Sequence, residues 1–471
     1  MNGRHTGALL LAGCLAACVG PTYHRPHVDM PAAFTAPSPA APPPHADWWR
    51  GFGAPDLDRL IALAEHNSPD VHAAAARVIE ADQAARAAGS PLLPGITATG
   101  TQQWQRTGTG SSVLSQVETL GAPSGSRYFE QRTYGAQLSA SYELDFWGKN
   151  LDALRAAQAT ALASRYDQQT VWLTTISSIA NTYFQAVGYR DRLEIARRNV
   201  RDAEDILAAY QARLEVGTAS ALDLSQQQAL VAGYRAQIPA LDSSYRQQVI
   251  ALAILVGEPP EHISLGPAQL ETLKLPQVSA GLPASLLRRR PDVANAEAQL
   301  ISQNATVRQD VADFFPSLQL TAAGGVSSVA LSAITGPGTL IASLMSQLTQ
   351  TVFDNGLKSG TLGQAKGRYQ ELAADYAKAV LQALSDVEAA LTTDELSAEQ
   401  QALEAEAVRT AQRSADIARA QLAAGTVDIV SVLNTETTLF TDLDNLAQVR
   451  VSRFLALVSL YKALGGGWTL P

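Results

Sequence analysis

Two long stretches without proline constrain this chain more than any other feature of its sequence. The first, residues 149–215, contains no proline and only Gly188 as a glycine. Apolar residues recur in it at strict seven-residue spacing, at Leu193, Val200, Leu207 and Leu214. This spacing is typical of a coiled-coil seam. At about 1.5 Å per residue, a helix of this length extends roughly 100 Å, which exceeds the width of one compact domain.

The same pattern occurs a second time, in residues 357–424, which also lack proline. The seven-residue step continues there at Val408, Ala415 and Leu422. Each stretch ends in a Gly-Thr pair followed by a second helical pattern, and the two glycines, Gly217 and Gly425, lie 208 residues apart. The sequence therefore predicts a duplicated unit, a long antiparallel helical hairpin. A shorter helical pattern precedes each unit, at residues 48–88 and 284–313.

The two Gly-Thr segments predict the hairpin turns, because glycine suits the left-handed position after a helix. Ser220 and Asp223 have the spacing of a capping box at the start of the returning helix. Asp428 lies 208 residues after Ser220. It is therefore predicted to be the N-cap of the second returning helix.

Composition argues against several functions. The chain of 471 residues has a formal net charge of −9, so nucleic-acid binding is not expected. Its one dense cationic run, residues 288–290, precedes Pro291 and Asp292, which predicts solvated arginines before a helix start. Six of the seven histidines lie before residue 73, and both cysteines lie within the first 18 residues. We therefore expect no metal site, no cofactor and no enzymatic activity.

The N-terminus has the pattern of a bacterial lipoprotein leader. Residues 1–17 combine a positive charge, a short apolar core and small residues, as a signal peptide does. The four residues ending at Cys18 fit a lipobox, so Cys18 is the predicted lipidation site. Cys14 also fits, but cleavage there would leave a very short signal. Val19 follows where an aspartate would argue for the inner membrane, and the proline-rich residues 18–46 predict an extended tether.

Strands are the predicted membrane-spanning elements. The sequence has no run of 18 apolar residues, so a transmembrane helix is not expected, and strands are the other structure that can span lipid. Apolar and polar residues alternate in four segments: 96–101, 134–146, 317–322 and 340–348. A soluble sheet with one wet face has the same alternation and stays the alternative. The Gly/Ser/Thr-rich residues 107–126 predict an exposed loop.

Four strands are too few to close a membrane barrel, since the smallest have about eight. An open sheet edge is not tolerated in lipid. We therefore expect the chain to complete its barrel with further copies of itself, and we expect the helices to continue that barrel as a tube.

Short motifs along the mature chain carry a family resemblance. They are Cys18-Val19-Gly20-Pro21-Thr22-Tyr23-His24-Arg25-Pro26, Asp145-Phe146-Trp147-Gly148, Ala180-Asn181-Thr182-Tyr183-Phe184, Arg289-Arg290-Pro291-Asp292-Val293 and Phe314-Phe315-Pro316-Ser317. In this order, and with the two Gly-Thr turns, the chain resembles the outer-membrane factors of tripartite efflux systems, the TolC-like channels, in particular their lipoprotein branch.

The resemblance implies an α+β membrane protein of the cell outer membrane. It implies a homotrimer, in which the chains share one twelve-stranded outer-membrane β-barrel that is continuous with a periplasmic α-barrel of helical hairpins. The implied partners are a periplasmic adaptor protein and a proton-driven inner-membrane pump of the RND type. The implied function is passive outward conduction of small molecules such as drugs and toxic compounds.

The hairpin tips are the expected gate. Family members often carry carboxylates one and two turns into the last helix, and here those positions fall on Ser431 and Asn434. This departure argues against the usual charged ring. Asp223, which matches Ser431 in the first repeat, and Asp428 are the candidate charges at the periplasmic aperture. A capping role is the alternative for both aspartates.

The predicted organisation has five parts: signal peptide 1–17, lipid-anchored tether 18–46, first structural repeat 47–260, equatorial linker 261–282 and second structural repeat 283–471. Two other functions are considered, an exit duct for type I protein secretion and a periplasmic adaptor scaffold. Adaptors have one hairpin and soluble β-domains, unlike the two hairpins and four strands predicted here. A secretion duct shares the fold, and the lipoprotein leader favours efflux.

Overall fold

The computed structural model describes residues 19–35, 42, 44–108 and 128–468. The α-helices of this part of the chain are α1 (Pro55–Asn67), α2 (Pro69–Ala88), α3 (Lys149–Glu215), α4 (Ala221–Val256), α5 (Leu286–Arg289), α6 (Pro291–Ala312), α7 (Leu357–Ala423) and α8 (Ile429–Ala463). The strands are β1 (Gly95–Gly108), β2 (Tyr128–Leu144), β3 (Ser317–Ser328) and β4 (Leu340–Thr349).

The two predicted hairpins are confirmed as α3–α4 and α7–α8. Helices α3 and α7 have 67 residues each, which corresponds to roughly 100 Å of helix. Their length follows from the absence of proline over both stretches, since an internal proline removes a backbone hydrogen bond and clashes with the preceding turn.

The shorter helical patterns before each strand pair are interrupted, which the sequence analysis did not predict. Ser68 separates α1 from α2 with ψ 122°, and Arg290 separates α5 from α6 with ψ 113°. In both places a proline follows, Pro69 and Pro291. A proline ring disfavours helical backbone at the preceding residue, so each helix restarts at the proline.

The four strands form one antiparallel sheet in the order β1-β2-β3-β4. The strand pair β1–β2 is longer than predicted, with 14 residues in β1 and 17 in β2. Most of the predicted loop, residues 109–126, lies outside the described residues. Within the described part of the chain, no helix combines the length and apolar character needed to cross a membrane.

The chain divides into two compact units. One contains Glu80–Ala161 and Ala298–Ala373, with residues 19–24, and holds the sheet. The other contains Arg25–Ile79, Leu162–Glu297 and residues 374–468, and holds both hairpin turns. Each proposed repeat contributes residues to both units. The two units therefore do not test the division of the chain into two structural repeats, and that division stays a prediction.

Aromatic side chains form the centre of the unit that holds the turns. Phe184 of α3 stacks on Phe454 of α8 with ring centroids 4.6 Å apart, and Phe52 lies edge-on to Phe184 at 4.9 Å. The linker that follows α4 adds buried apolar side chains to the same core: Ile263, Leu270, Val278 and Ala280. Apolar burial therefore holds the linker against the helices.

Two helical glycines provide a matched test of this packing. A Cβ at Gly188 in α3 would overlap Val451 of α8, whereas at Gly233 in α4 no other heavy atom lies within 4 Å. We expect Gly188→Ala to lower the free energy of unfolding by about 1–3 kcal/mol through overpacking. Gly233→Ala should raise it by about 0.5–1 kcal/mol. Denaturant unfolding of the detergent-purified protein measures both, and shifts of the same sign would contradict the packing.

Candidate functional site

Both hairpin turns are built from the same Gly-Thr pair. Gly217 has φ +76° and donates its N–H to the Leu214 carbonyl at 3.0 Å. Thr218 donates its N–H to the Arg213 carbonyl at 2.8 Å, and its hydroxyl donates to the same carbonyl at 3.0 Å. The turn at Gly425 repeats this pattern with φ +71°. Glycine supplies the left-handed backbone, and threonine satisfies a carbonyl that the helix end leaves free.

The predicted caps are present at the start of each returning helix. Asp223 donates its N–H to Ser220 Oγ at 3.1 Å and accepts the Ser220 N–H at 3.0 Å, which completes a capping box. Asp428 caps α8 by accepting the backbone N–H of Ser431 at 2.9 Å and its hydroxyl at 2.7 Å. The bond from the Ser431 hydroxyl has the larger effect and the bond from its backbone N–H the smaller one, and both lower the pKa of the Asp428 carboxyl.

The structure brings only some of the predicted aperture residues together. Asp428 and Ser431 share hydrogen bonds, whereas Asp223 bonds within the first hairpin and is half-buried. Asn434 lies further along α8 with an exposed side chain. It lines a cavity of about 420 Å³ between α7 and α8 together with hydroxyl side chains such as Thr410. Cys18 lies outside the described residues.

The sequence analysis missed an ion pair close to the second turn, in which the carboxylate is buried and the Arg419 side chain is 35% exposed. Glu436 of α8 is 1 % exposed and accepts Arg419 Nε at 2.5 Å and Nη2 at 2.8 Å. Burial lowers the pKa of the Arg419 guanidinium, but the Glu436 hydrogen bond and charge outweigh it and leave the pKa raised. The first hairpin has a neutral contact instead, in which buried Gln227 donates to the Ala203 carbonyl at 2.6 Å.

A groove lies between α3 and α7 beside the two turns. Its volume is about 820 Å³. Its lining combines apolar side chains such as Ile206 and Leu422 with the charged Asp202, Arg213 and Arg419. Two helices therefore present a mixed apolar and charged surface next to the tips.

The sheet register places most polar residues on one face of the sheet and most apolar residues on the other. On one face, called the polar face, odd-numbered residues lie opposite one another across the strands, for example Thr97 opposite Ser139 and Ser141 opposite Thr321. Of the strand residues whose side chains the structure describes, Glu143 is the one charged residue on that face. The even-numbered face is mainly apolar between its ends, with Leu138, Leu320, Leu344 and Leu348 among its members.

This chain is similar to known proteins over most of its length. Residues 60–258 and 282–466 match the family described as outer membrane efflux protein. The pyoverdine export outer membrane protein OpmQ of Pseudomonas aeruginosa is 38% identical over 421 residues, covering 89% of this chain and 87% of the relative. The cation efflux system protein CusC of Escherichia coli is 28% identical over 475 residues, covering 98% and 97%. The open-state crystal structure of the Neisseria gonorrhoeae MtrE outer membrane channel superposes with a TM-score of 0.85, at 25% identity, covering 95% and 98%.

Proposed function

Because this chain belongs to the outer membrane efflux protein family, we propose that it assembles as a homotrimer whose shared pore conducts small molecules out of the cell. The protein is an outer-membrane channel with the TolC-like fold, and it works with a periplasmic adaptor and an inner-membrane pump. We assign the pump to the RND type. The channel conducts its substrates passively through a gate and uses no enzymatic step.

The two-faced sheet with open edges carries this proposal. The described part of one chain supplies four strands in one open sheet, which leaves the backbone donors and acceptors on both of its edges without a neighbouring strand there. Lipid cannot satisfy these groups, so a spanning sheet must close. Three copies close it as a twelve-stranded barrel. The apolar face then contacts lipid, and the polar face lines the pore.

The chemistry of the polar face supports a duct for small polar solutes. It is lined mainly by hydroxyl and amide side chains such as Thr99, Gln137 and Ser343, with Glu143 as its charged residue. Such a lining offers hydrogen bonds without selecting strongly by charge. The relative with 38% identity is named for pyoverdine export. We therefore assign a secreted siderophore as the first substrate to test, ahead of drugs and metal cations.

The experiment compares a deletion strain with the same strain carrying the gene. Under iron limitation, siderophore in the medium should fall in the deletion strain and recover on complementation. A changed set of secreted proteins with unchanged siderophore and drug susceptibility would favour the alternative, a type I secretion duct. Light scattering of the detergent-purified protein should give the mass of three chains, and a stable monomer would overturn the shared pore.

We assign Cys18 as the lipid-anchored residue, in keeping with the lipobox. Cys18→Ser should remove the diacylglyceryl mass from the purified protein in mass spectrometry, while Cys14→Ser should leave it in place. Persistence of the lipid in Cys18→Ser would move the anchor to Cys14.

We also assign the hairpin tips as the aperture, with Asp428 acting through its N-cap. Asp428→Ala removes the cap and should raise single-channel conductance in planar bilayers, because the tip of α8 loses the bonds to Ser431. Asp428→Asn keeps a capping oxygen and should stay close to wild type. Asp223→Ala tests the capping box in the same way. Unchanged conductance in both alanine variants would remove these residues from the gate.

The same cap makes a pH prediction. A carboxyl whose pKa is lowered by folding stabilises the folded state above its unfolded pKa of about 3.9. That stabilisation is lost as pH falls through the lowered value of Asp428. The Asp428 cap therefore persists at neutral pH, and conductance differences between wild type and Asp428→Ala should shrink only in strong acid.

A further inference from the structure

The lipobox is followed by a motif whose role the lipid attachment alone does not explain. It is Gly20-Pro21-Thr22-Tyr23-His24-Arg25-Pro26. A lipid needs only the cysteine that carries it, and a flexible linker needs no fixed residues. In the structure, residues 19–35 have neither helix nor strand, yet they contact the helices of the body at several points.

Gly20 makes the first of these contacts, on α6. Its φ of +129° lies in the region that favours glycine. A Cβ at this position would lie 2.8 Å from Arg308 Cγ and 3.1 Å from Arg308 Cα. Glycine is therefore the residue that lets the segment lie this close to α6.

Buried charge fixes the α6 side of this contact. Arg308 donates Nε to Asp152 Oδ2 at 3.1 Å, and the Asp152 side chain is fully buried. Arg155 donates to the other oxygen of the same carboxylate at 2.9 Å. The aliphatic part of the Arg308 side chain therefore has a fixed position, against which Gly20 packs.

Arg25 makes the second contact with α6, through a two-pronged ion pair. Its Nε and Nη2 both donate to Glu297 at 2.6 Å. The Glu297 side chain is 15% exposed, whereas that of Arg25 is 49% exposed. Most exposed ion pairs contribute little, but a bidentate pair fixes both the distance and the direction of its partners. Arg25 therefore holds the segment on the surface of α6.

The spacing of these contacts suits an extended chain along one face of α6. Glu297 and Arg308 are eleven residues apart, which corresponds to about three helical turns and a rise of roughly 16 Å. Gly20 and Arg25 are five residues apart, a separation that an extended chain covers with about 16–18 Å. Two prolines in the motif favour such an extended backbone. The motif therefore has the length that the two α6 positions require.

Beyond the motif, the segment stays in contact with the helices. Val28, Met30 and Phe34 are partly buried against the main hydrophobic core. Thr35 donates its backbone N–H to Glu388 Oε1 of α7 at 2.6 Å. The described part of the predicted tether is therefore held against the body at intervals along its length.

We propose that residues 20–25 are a docking strip that positions the lipid anchor beside α6. The inference rests on the proposed lipidation of Cys18 and adds where the lipid is held. Cys18 precedes Gly20 by two residues, a distance of at most about 7 Å. The lipid is therefore confined to the neighbourhood of Arg308. Gly20 and Arg25 are positioning residues, since neither carries the lipid.

The position of this contact along the chain gives the docking strip a role in the membrane. Arg308 lies nine residues before Ser317, where β3 begins. The docking strip therefore brings the acyl chains to the part of the chain that leads into the sheet. A lipid held there enters the same phospholipid leaflet as the adjoining end of β3.

Spin labelling tests the docking strip in the full-length, lipidated, detergent-purified protein. Both cysteines lie within the first 18 residues, so the processed chain has no free thiol once Cys18 carries the lipid. Thr22→Cys then supplies one labelling site, and its nitroxide should move slowly. Adding Arg25→Glu brings two carboxylates together and should speed this motion about tenfold, towards the ps–ns range of a flexible segment. Adding Glu297→Arg as well restores an ion pair of opposite polarity and should return the slow motion.

Three comparisons make this outcome specific. Asp29→Lys is the matched control, because its side chain is fully exposed in the same segment, and the label should stay slow. Gly20→Val should release the label, since a Cβ does not fit beside Arg308. The denaturant midpoint should stay near the wild-type value in Arg25→Glu, which separates release of the docking strip from loss of the fold. A fast nitroxide in Thr22→Cys without further changes would overturn the docking strip.

Mass spectrometry of the same samples separates this inference from the lipidation on which it rests. The diacylglyceryl mass should be present in the Arg25→Glu and Gly20→Val proteins, because neither change alters the four residues of the lipobox. A fast label on lipidated protein would overturn the docking strip and leave the lipidation intact. A slow label on protein without the lipid would show that the segment docks but would overturn its role in positioning an anchor at Cys18.

Discussion

Replacement of Arg290 by methionine should lower the free energy of unfolding by about 3 kcal/mol, because it breaks a buried network of charges. Arg290 is 8% exposed. It donates Nη1 to Asp386 of α7 at 3.0 Å and to the Ala463 carbonyl at the end of α8 at 3.1 Å. It also holds Asp292 through Nε at 2.9 Å and Nη2 at 2.5 Å. One guanidinium therefore joins the start of α6 to two other helices.

The size of this effect follows from what the variant leaves behind. Burial lowers the pKa of the Arg290 guanidinium, but its hydrogen bonds and charge interactions with Asp292 and Asp386 outweigh burial and leave the pKa raised, so the group stays charged. Without it, Asp292, Asp386 and the Ala463 carbonyl each lose a charged donor, although Asp386 still accepts from Gln382 Nε2 at 2.7 Å. Both carboxylate side chains are about a third exposed, so water can solvate them and offset part of the lost stability. The expected effect therefore lies near the lower end of the range for broken buried ion pairs.

Denaturant unfolding in detergent measures this change, with Arg288→Met as the matched control. Arg288 belongs to the same cationic run but is exposed, so its replacement should change stability by less than about 0.5 kcal/mol. Arg290→Lys should rescue little, since an ammonium cannot reproduce the two-pronged contact with Asp292. Equal destabilisation by the Arg288 and Arg290 variants would contradict the buried network.

Local signals explain why so much of this fold could be predicted from the sequence. The hairpin turns depend on residues a few positions apart, such as Gly217 with Thr218 and Ser220 with Asp223. The Gly-Thr pair occurs twice, and Asp428 with Ser431 repeats the spacing of the cap. Strand alternation is equally local, because side chains change face at every residue. Duplication then supplied a second copy of the Gly-Thr turn and of the cap spacing, which distinguished the pattern from chance.

Long-range partners explain what the sequence analysis got wrong. The run at residues 288–290 was interpreted as solvated arginines before a helix, and this is wrong for Arg290. Its partners Asp386 and Ala463 lie 96 and 173 residues further along the chain, so no local pattern indicates its burial. The aperture residues depend in the same way on distant neighbours. The roles of Asp223, Asp428, Ser431 and Asn434 as an aperture stay predictions, because the proposed gate would need several copies of the chain.

Removal of Arg419 should loosen the second hairpin near its turn and leave the first hairpin unchanged. In Arg419→Ala the Glu436 carboxylate, which is 1% exposed, loses both of its guanidinium bonds. An unpartnered buried charge costs about 3 kcal/mol or more. Amide hydrogen exchange in the described residues around the α7–α8 turn should therefore accelerate about a hundredfold, since each 1.4 kcal/mol corresponds to about a factor of ten. The first hairpin keeps its neutral Gln227–Ala203 contact and should exchange at the wild-type rate.

Arg409→Ala is the matched control, because Arg409 and its partner Glu406 both have side chains 66% exposed on the same helix. Such a surface pair contributes about 0–1 kcal/mol, so exchange should change little.

The double variant Arg419→Met with Glu436→Leu removes both charges together and should recover most of the protection, because an apolar pair of similar volume replaces a buried ion pair well. Recovery in the double variant would show that the uncompensated charge loosens the turn, whereas equal acceleration in both hairpins would show a general loss of folding. If the tips form the gate, Arg419→Ala should also raise single-channel conductance, and the double variant should return it towards the wild-type value.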